Sequence, residues 1–187
     1  WEATEYFAGV GVPGPLGSAH RMVAPYQAIQ CADGYVTIGA SNDRLFRQLC
    51  DALGHPEWAS VPEFADNPSR VRNRAALAEL IESVMRHRPK RHWLDVFEAR
   101  DIPCGPINNY AEVFADPQII AREMVVGVDH PTLGPMRALG SPVKLSGTPA
   151  LARRRAPRLG EHSEAILRDA GFGEEEVAAL LAPQGAS

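Results

Sequence analysis

Hydrophobic residues are set along this chain with two different rhythms. In "PYQAIQCA" and "YVTIGA", residues 25–32 and 35–40, they alternate with small or polar positions. A period of two predicts two strands, and Asp33-Gly34 between them is a turn pair that suits a two-residue hairpin. The spacing then lengthens. Leu45, Phe46, Leu49, Cys50 and Leu53 fall on one helical face, with Ser41 or Asn42 as the cap and Gly54 as the stop. Leu77, Leu80, Ile81, Val84 and Met85 form a second helical stripe. Pro89 can start a third helix that buries Trp93, Val96 and Phe97.

Between and around these elements the pattern is weaker. Residues 2–8 read as the end of a helix, and residues 10–18 as a Gly/Pro/Ser linker. A loop with Pro56, Pro62 and Pro68 separates the first two stripes, and "DIPCGPINN" breaks the chain after the third. A short helix is expected over 110–114, and Asp116-Pro117 is a cap and first-turn pair for another. Residues 125–128 and 136–139 predict a second hairpin across "DHPTLGP". "SPVKLSGTPALARRRAPRLG" reads as an extended surface segment. Two short helices close the chain, one carrying Ala165, Ile166 and Leu167 and ending near Gly171, the other carrying Val177, Leu180 and Leu181.

Composition narrows the function classes. A chain of 187 residues can bury a real core. Its net charge of -4 and pI of about 5.9 argue against nucleic-acid binding, which needs a basic face. The one dense basic run, "RRRAPR" at 153–158, reads as a solvated connector rather than a phosphate or CoA patch. No apolar run is long enough to predict a membrane helix. Residues 1–9 carry two glutamates and no basic start, so no signal peptide is expected. The first residue is Trp1 rather than Met, which suggests a piece of a longer or processed protein. Three widely spaced cysteines, Cys31, Cys50 and Cys104, fit reduced thiols in a cytoplasm. The six histidines form no ligand spacing with them, so no metal site is expected.

The residues offer little reactive chemistry. There is no Gly-Lys-Ser/Thr phosphate loop and no Gly-x-Ser-x-Gly elbow. Cys104 has no nameable activating neighbour and reads as a packing residue. His87 and His92 are five apart and do not share a helical face.

Ordered phrases over almost the whole chain carry a resemblance: "APYQAIQCADGYVTIGASN", "LCDALGHPEW", "NPSRVRNRAALAELI", "IPCGPINNYAEVFADPQIIAREM" and "APRLGEH". In this order they resemble the C-terminal part of family III CoA-transferases, the CaiB–BaiF family. The resemblance implies an α+β segment: a small domain of short antiparallel strands and several helices. The family's large domain has a Rossmann-like α/β core, and its subunits form interlocked dimers. On this reading residues 1–22 end the large domain and form a linker, 23–150 form the small domain, and 151–187 return to the large domain.

The activity implied is transfer of CoA between an acyl-CoA and a carboxylic acid, through an aspartyl anhydride and an aspartyl-CoA thioester. The nucleophilic aspartate lies upstream, so no catalytic residue is expected in this segment. CoA and acyl-CoA would be substrates, with no tightly bound cofactor, no nucleic acid, no membrane, and a homodimer in the cytoplasm. A glycine-containing loop that closes over the site in formyl-CoA transferase corresponds in position to residues 14–26. This singles out Gly14, Gly17, His20, Arg21 and Tyr26 as substrate-adjacent, although the family's consecutive glycines are absent. His20 and Arg21 could donate to an acyl carboxylate or a CoA phosphate, or could simply anchor the linker. Two alternatives stay open: an α-methylacyl-CoA racemase of the same family, and an isolated chain that is only a structural or dimerising module.

Overall fold

A computed structural model describes residues 2–150 and 155–182. The chain divides into two compact units, one ending at Asn108 and the other starting at Asn109.

The first unit opens with α1 (Glu2–Phe7) and the linker, then β1 (Tyr26–Cys31) and β2 (Gly34–Gly39). The hairpin forms as the alternation predicts, but its turn sits one residue earlier. Cys31 pairs with Gly34, so Ala32 and Asp33 are the loop residues. The cause lies far along the chain. Asp33 Oδ1 accepts from the Lys90 amide at 2.7 Å, and the Ala32 amide donates to the Arg88 carbonyl at 3.0 Å. Asp33 therefore caps the helix that follows Pro89, whose own side chain cannot. Gly34 does need a conformation open to glycine, with φ of 148°.

Helix α2 (Asp43–Leu53) follows its sequence signals closely. The Asn42 side chain accepts from the Leu45 amide, Gly54 ends the helix in the left-handed region, and the five predicted apolar residues are the buried ones. The following "proline loop" is more ordered than expected. Pro56–Ser60 forms a 3-10 turn, and Asn67–Arg72 forms α3, capped by Asp66 with Pro68 in its first turn. Helix α4 (Arg74–Met85) buries Leu77, Ile81 and Met85, with Leu80 and Val84 half-covered. Helix α5 (Lys90–Glu98) buries Trp93, Leu94 and Phe97, so Leu94 joins the core where Val96 was expected.

The interrupted stretch after α5 holds a strand that the prolines concealed. β3 (Cys104–Ile107) pairs antiparallel with β2, giving the order β1-β2-β3. It is an edge strand, where Pro106 can face away from the ladder without costing a bond. Ile29, Val36 and Ile38 on one sheet face meet Phe46, Leu49, Ile81 and Phe97 from the helices in one core. The other face carries Tyr26, Tyr35, Thr37, Gly39, Gly105 and Ile107, as the period of two requires.

Among the described residues three polar side chains are buried, Ser69, Arg70 and Lys90, and Arg70 is the most completely enclosed. Arg70 is fully buried. Its Nε donates to the Ala24 carbonyl (2.8 Å), Nη1 to the Phe64 carbonyl (3.0 Å) and Nη2 to Asp43 Oδ1 (2.7 Å). Its guanidinium carbon stands 4.5 Å over the Phe46 ring centre.

The second unit begins with α6 (Tyr110–Ala115), held by a reciprocal Asn109–Glu112 capping box, and α7 (Pro117–Ala121), capped by Asp116. The predicted second hairpin is β4 (Val125–His130) and β5 (Gly134–Leu139), longer than the pattern suggested. Helices α8 (Ser163–Asp169) and α9 (Glu174–Leu181) follow an irregular stretch. Ile166 is 63% exposed, but Val177 is buried at 3%.

Of the basic run at 153–158, residues Arg153 and Arg154 lie outside the described part, as do 183–187 of the tail. Arg155 pairs with Glu161, and the Arg158 amide donates to the same carboxylate at 2.8 Å. The Arg155 hydrogen bond, with that amide, holds the Glu161 carboxyl at about 2, against 4.5 ordinarily. The folded state thus favours the ionised form. Its stabilisation is complete above the ordinary carboxylate range and is lost as pH falls from about 4.5 to about 2. A carbon-detected NMR titration should give a Glu161 midpoint near 2. An ordinary midpoint would show that the contact does not persist in solution.

Candidate functional site

The sequence nominated five residues, four in the loop before β1 and Tyr26 at the strand's start, and the fold brings two of them together. The His20 amide donates to the Tyr26 carbonyl at 2.9 Å, which folds the loop back on the first strand. The two rings then stack, 5.3 Å between centres and 20° between planes. Tyr26 lies across the sheet from Gly39, and its ring rests there because glycine leaves room; a Cβ at Gly39 would come within 3.2 Å of it. Ser18 Oγ accepts from the Ala28 amide at 3.1 Å and closes the loop's other side.

Two shallow cavities flank the Tyr26 ring. One, of about 340 Å³, is lined by Ser18, Ala19, His20, Tyr26, Gln27 and Thr37. The other, of about 200 Å³, is lined by Tyr26, Thr37, Gly39, Pro103 and Cys104 among others. The Thr37 hydroxyl donates to the Gly105 carbonyl at 3.0 Å.

His20 has a defined orientation. Its Nδ1 accepts from the Met22 amide at 3.1 Å. A neutral imidazole that accepts at Nδ1 carries its proton on Nε2, so His20 presents an N–H donor there. With the Tyr26 and Ser18 hydroxyls this gives neutral hydrogen-bonding groups beside an aromatic face. Such a surface suits a carbonyl or carboxylate oxygen.

Arg21 and the glycines stand elsewhere. Arg21 Nε donates to Glu2 at 2.7 Å and its Nη2 to the Gly14 carbonyl at 2.8 Å, so its guanidinium ties the linker together. It lines a separate cavity of about 650 Å³ with Glu5, Asn67, Val71 and Arg74. Gly14 is exposed, and Gly17 takes a left-handed φ of 61°.

Nothing beside the stacked pair is an activated nucleophile. Burial pushes the Cys104 thiol up, and pushes Cys31 to about 11 and Cys50 to about 12, so all three are thiols at neutral pH. Among the described residues no group of three or more His, Cys, Asp or Glu could hold a metal, and no helix is long and apolar enough to cross a membrane. The chemistry on offer here is hydrogen bonding beside an aromatic face.

The family model for CoA-transferase family III matches residues 1–163. The chain belongs to that family. It is 34% identical to human succinyl-CoA:glutarate CoA-transferase over 167 residues, covering 89% of this chain and 38% of the relative. It is 35% identical to acetyl-CoA:oxalate CoA-transferase of Acetobacter aceti, covering 84% of this chain and 39% of that protein. A crystal structure of a CAIB/BAIF family protein from Brucella suis superimposes with a TM-score of 0.75 at 38% identity, over 90% of this chain and 43% of that one. The chain therefore spans about two fifths of the length of the proteins it matches.

Proposed function

We propose that this chain is the C-terminal segment of a CoA-transferase that moves CoA between an acyl-CoA and a carboxylic acid. The observation that carries this is the family match over residues 1–163. The relatives' names supply the acceptor class: glutarate and oxalate are both small dicarboxylic acids.

In this reading the chemistry begins on an aspartate upstream of the chain. Its carboxylate attacks the thioester carbonyl, CoA thiolate leaves, and a mixed anhydride forms. The thiolate then attacks the aspartyl carbonyl and releases the first acid as its carboxylate. The acceptor carboxylate attacks the resulting aspartyl thioester, and the freed thiolate takes the acceptor acyl group and regenerates the aspartate. Residues of this chain supply positioning. His20 Nε2–H and the Tyr26 hydroxyl hold an oxygen of the acyl or acceptor group, while Arg21 ties down the linker that carries Gly14 and Gly17. The chain would comprise the large domain's end and linker (1–22), the small domain (23–150) and a returning tail (151–187), within a cytoplasmic homodimer.

The test is a mass-spectrometric assay of the intact protein, upstream sequence included, with succinyl-CoA and glutarate or oxalate. CoA transfer is expected with the intact protein and none with this chain alone. Turnover by the chain alone would overturn the assignment of the nucleophile. Inversion of a 2-methylacyl-CoA by the intact protein, without transfer to any acid, would install the racemase reading instead.

A further inference from the structure

The loop that carries His20 is gripped from behind, entirely through its main chain. Arg74 Nη2 donates to the Arg21 carbonyl at 2.7 Å. Asn67 Nδ2 donates to the Met22 carbonyl at 2.8 Å, and Asn67 Oδ1 accepts from the Ala24 amide at 3.2 Å. Arg70 Nε donates to the Ala24 carbonyl at 2.8 Å. The three gripping residues recur at positions 67, 70 and 74, along one side of α3 and the start of α4. Four bonds thus hold the carbonyls of Arg21, Met22 and Ala24 and the Ala24 amide, none of them through a loop side chain.

The Met22 amide shares one planar peptide with the Arg21 carbonyl that Arg74 holds, so what the grip controls is the backbone at Met22. The Met22 carbonyl is held by Asn67, and the Met22 amide is the donor that occupies His20 Nδ1. Asn67 and His20 are linked through one residue's two backbone groups, although 47 positions separate them along the chain. The residues of the relay stand beside the unit's own buried core, which runs from Ala24 to Ile102.

We propose that Asn67, with Arg74, is a positioning residue that sets the tautomer of His20 through the backbone on either side of the Met22 Cα. A ring nitrogen's proton follows from the bond made by the other nitrogen. Holding the Met22 amide on Nδ1 therefore places the proton on Nε2, the atom free to face a substrate oxygen. The inference rests on the reading that His20 borders the CoA-transfer site, but the relay itself can be tested without activity.

The readout is the pair of His20 ring-nitrogen shifts in a long-range proton–nitrogen spectrum of this chain, at a pH of about 8, where an imidazole is ordinarily neutral. The wild type should show a bare Nδ1 and a protonated Nε2. Asn67→Ala should average the two shifts and cost the Ala24 amide about tenfold in exchange protection. Asn67→Asp keeps the acceptor for Ala24 but sets a carboxylate oxygen against the Met22 carbonyl. It should move the His20 shifts while leaving Ala24 protected. Arg74→Met should move the shifts in the same direction, and Arg74→Lys, which keeps one donor, should restore them. Unchanged His20 shifts in Asn67→Asp, with the sheet amides still protected, would overturn the relay; that variant decides if Asn67→Ala fails to fold. In the intact protein Asn67→Asp should lower kcat about tenfold with little change in KM for the acyl-CoA. Shifted nitrogens with unaltered transfer would leave the relay standing and remove His20 from the reaction.

Discussion

Replacing Arg70 with methionine is expected to unfold the first unit at ordinary temperatures. Methionine fills much of the arginine's volume, so a cavity is not the main loss. The loss is that the Ala24 and Phe64 carbonyls keep their buried positions and have no donor. Each buried acceptor left so costs about 1–3 kcal/mol, and the Phe46 contact goes as well. A total of about 3–5 kcal/mol is comparable to the whole stability of a small domain. Asp43→Asn is the contrasting variant. Its oxygen can still accept from Nη2, and the Asp43 side chain is half exposed, so about 1 kcal/mol or less should be lost. Urea denaturation followed by the fluorescence of the buried Trp93 measures both. Equal losses for the two variants would mean that the ion pair, not the carbonyl bonds, holds this residue in place.

The second large effect belongs to the other unit. Gly140 follows β5, and its amide donates to the Met124 carbonyl at 2.9 Å, just before β4. A Cβ at Gly140 would stand 2.1 Å from the Glu123 carbonyl oxygen. That atom is main chain and cannot swing aside. Gly140→Ala must break the Gly140–Met124 bond or shift the base of the hairpin, at a cost of about 1–3 kcal/mol. Hydrogen exchange at β4 and β5 should accelerate accordingly, by about tenfold or more. Gly127→Ala in β4 is the control, since nothing lies within 4 Å of its Cβ position. Similar acceleration in both variants would show that the hairpin responds to β-propensity and not to this contact.

Where the chain's information is local, reading it from sequence works. Asn42, the five apolar residues behind it and Gly54 specify α2 with no help from elsewhere, and Asp116-Pro117 does the same for α7. The failures come where distant residues decide. Pro106 and Gly105 look like a break, yet they form a strand because β2 offers an open edge. Asp33-Gly34 looks like the whole turn, yet Asp33 is drawn to an amide 57 positions away, and the loop moves by one residue.

The site divides the same way. The motif singled out His20 and Tyr26 at the two ends of one short stretch, and the fold stacked their rings. Arg21 carried the right charge for an anion, but Glu2 and the Gly14 carbonyl occupy it. Asn67 and Arg74 gave no usable signal. They act on backbone atoms more than forty residues away, and such contacts leave no periodicity and no preferred spacing in a single sequence. Only "NPSRVRNR", polar residues clustered on one side of a short helix, hints that something there needs hydrogen-bond donors.

The late arrival of β3 in the chain also bears on how the first unit forms. β1 and β2 are neighbours in sequence and can zip within microseconds, whereas β3 joins β2 only after residues 40–103 have been gathered in. The chain entropy of that closure must be met before the Thr37–Gly105 pairing returns anything. Hairpin and helices therefore assemble first, and the third strand is the latch that closes over them. Because Pro103 and Cys104 at that strand's start line a cavity with Tyr26, that cavity is expected to take shape only when the third strand docks.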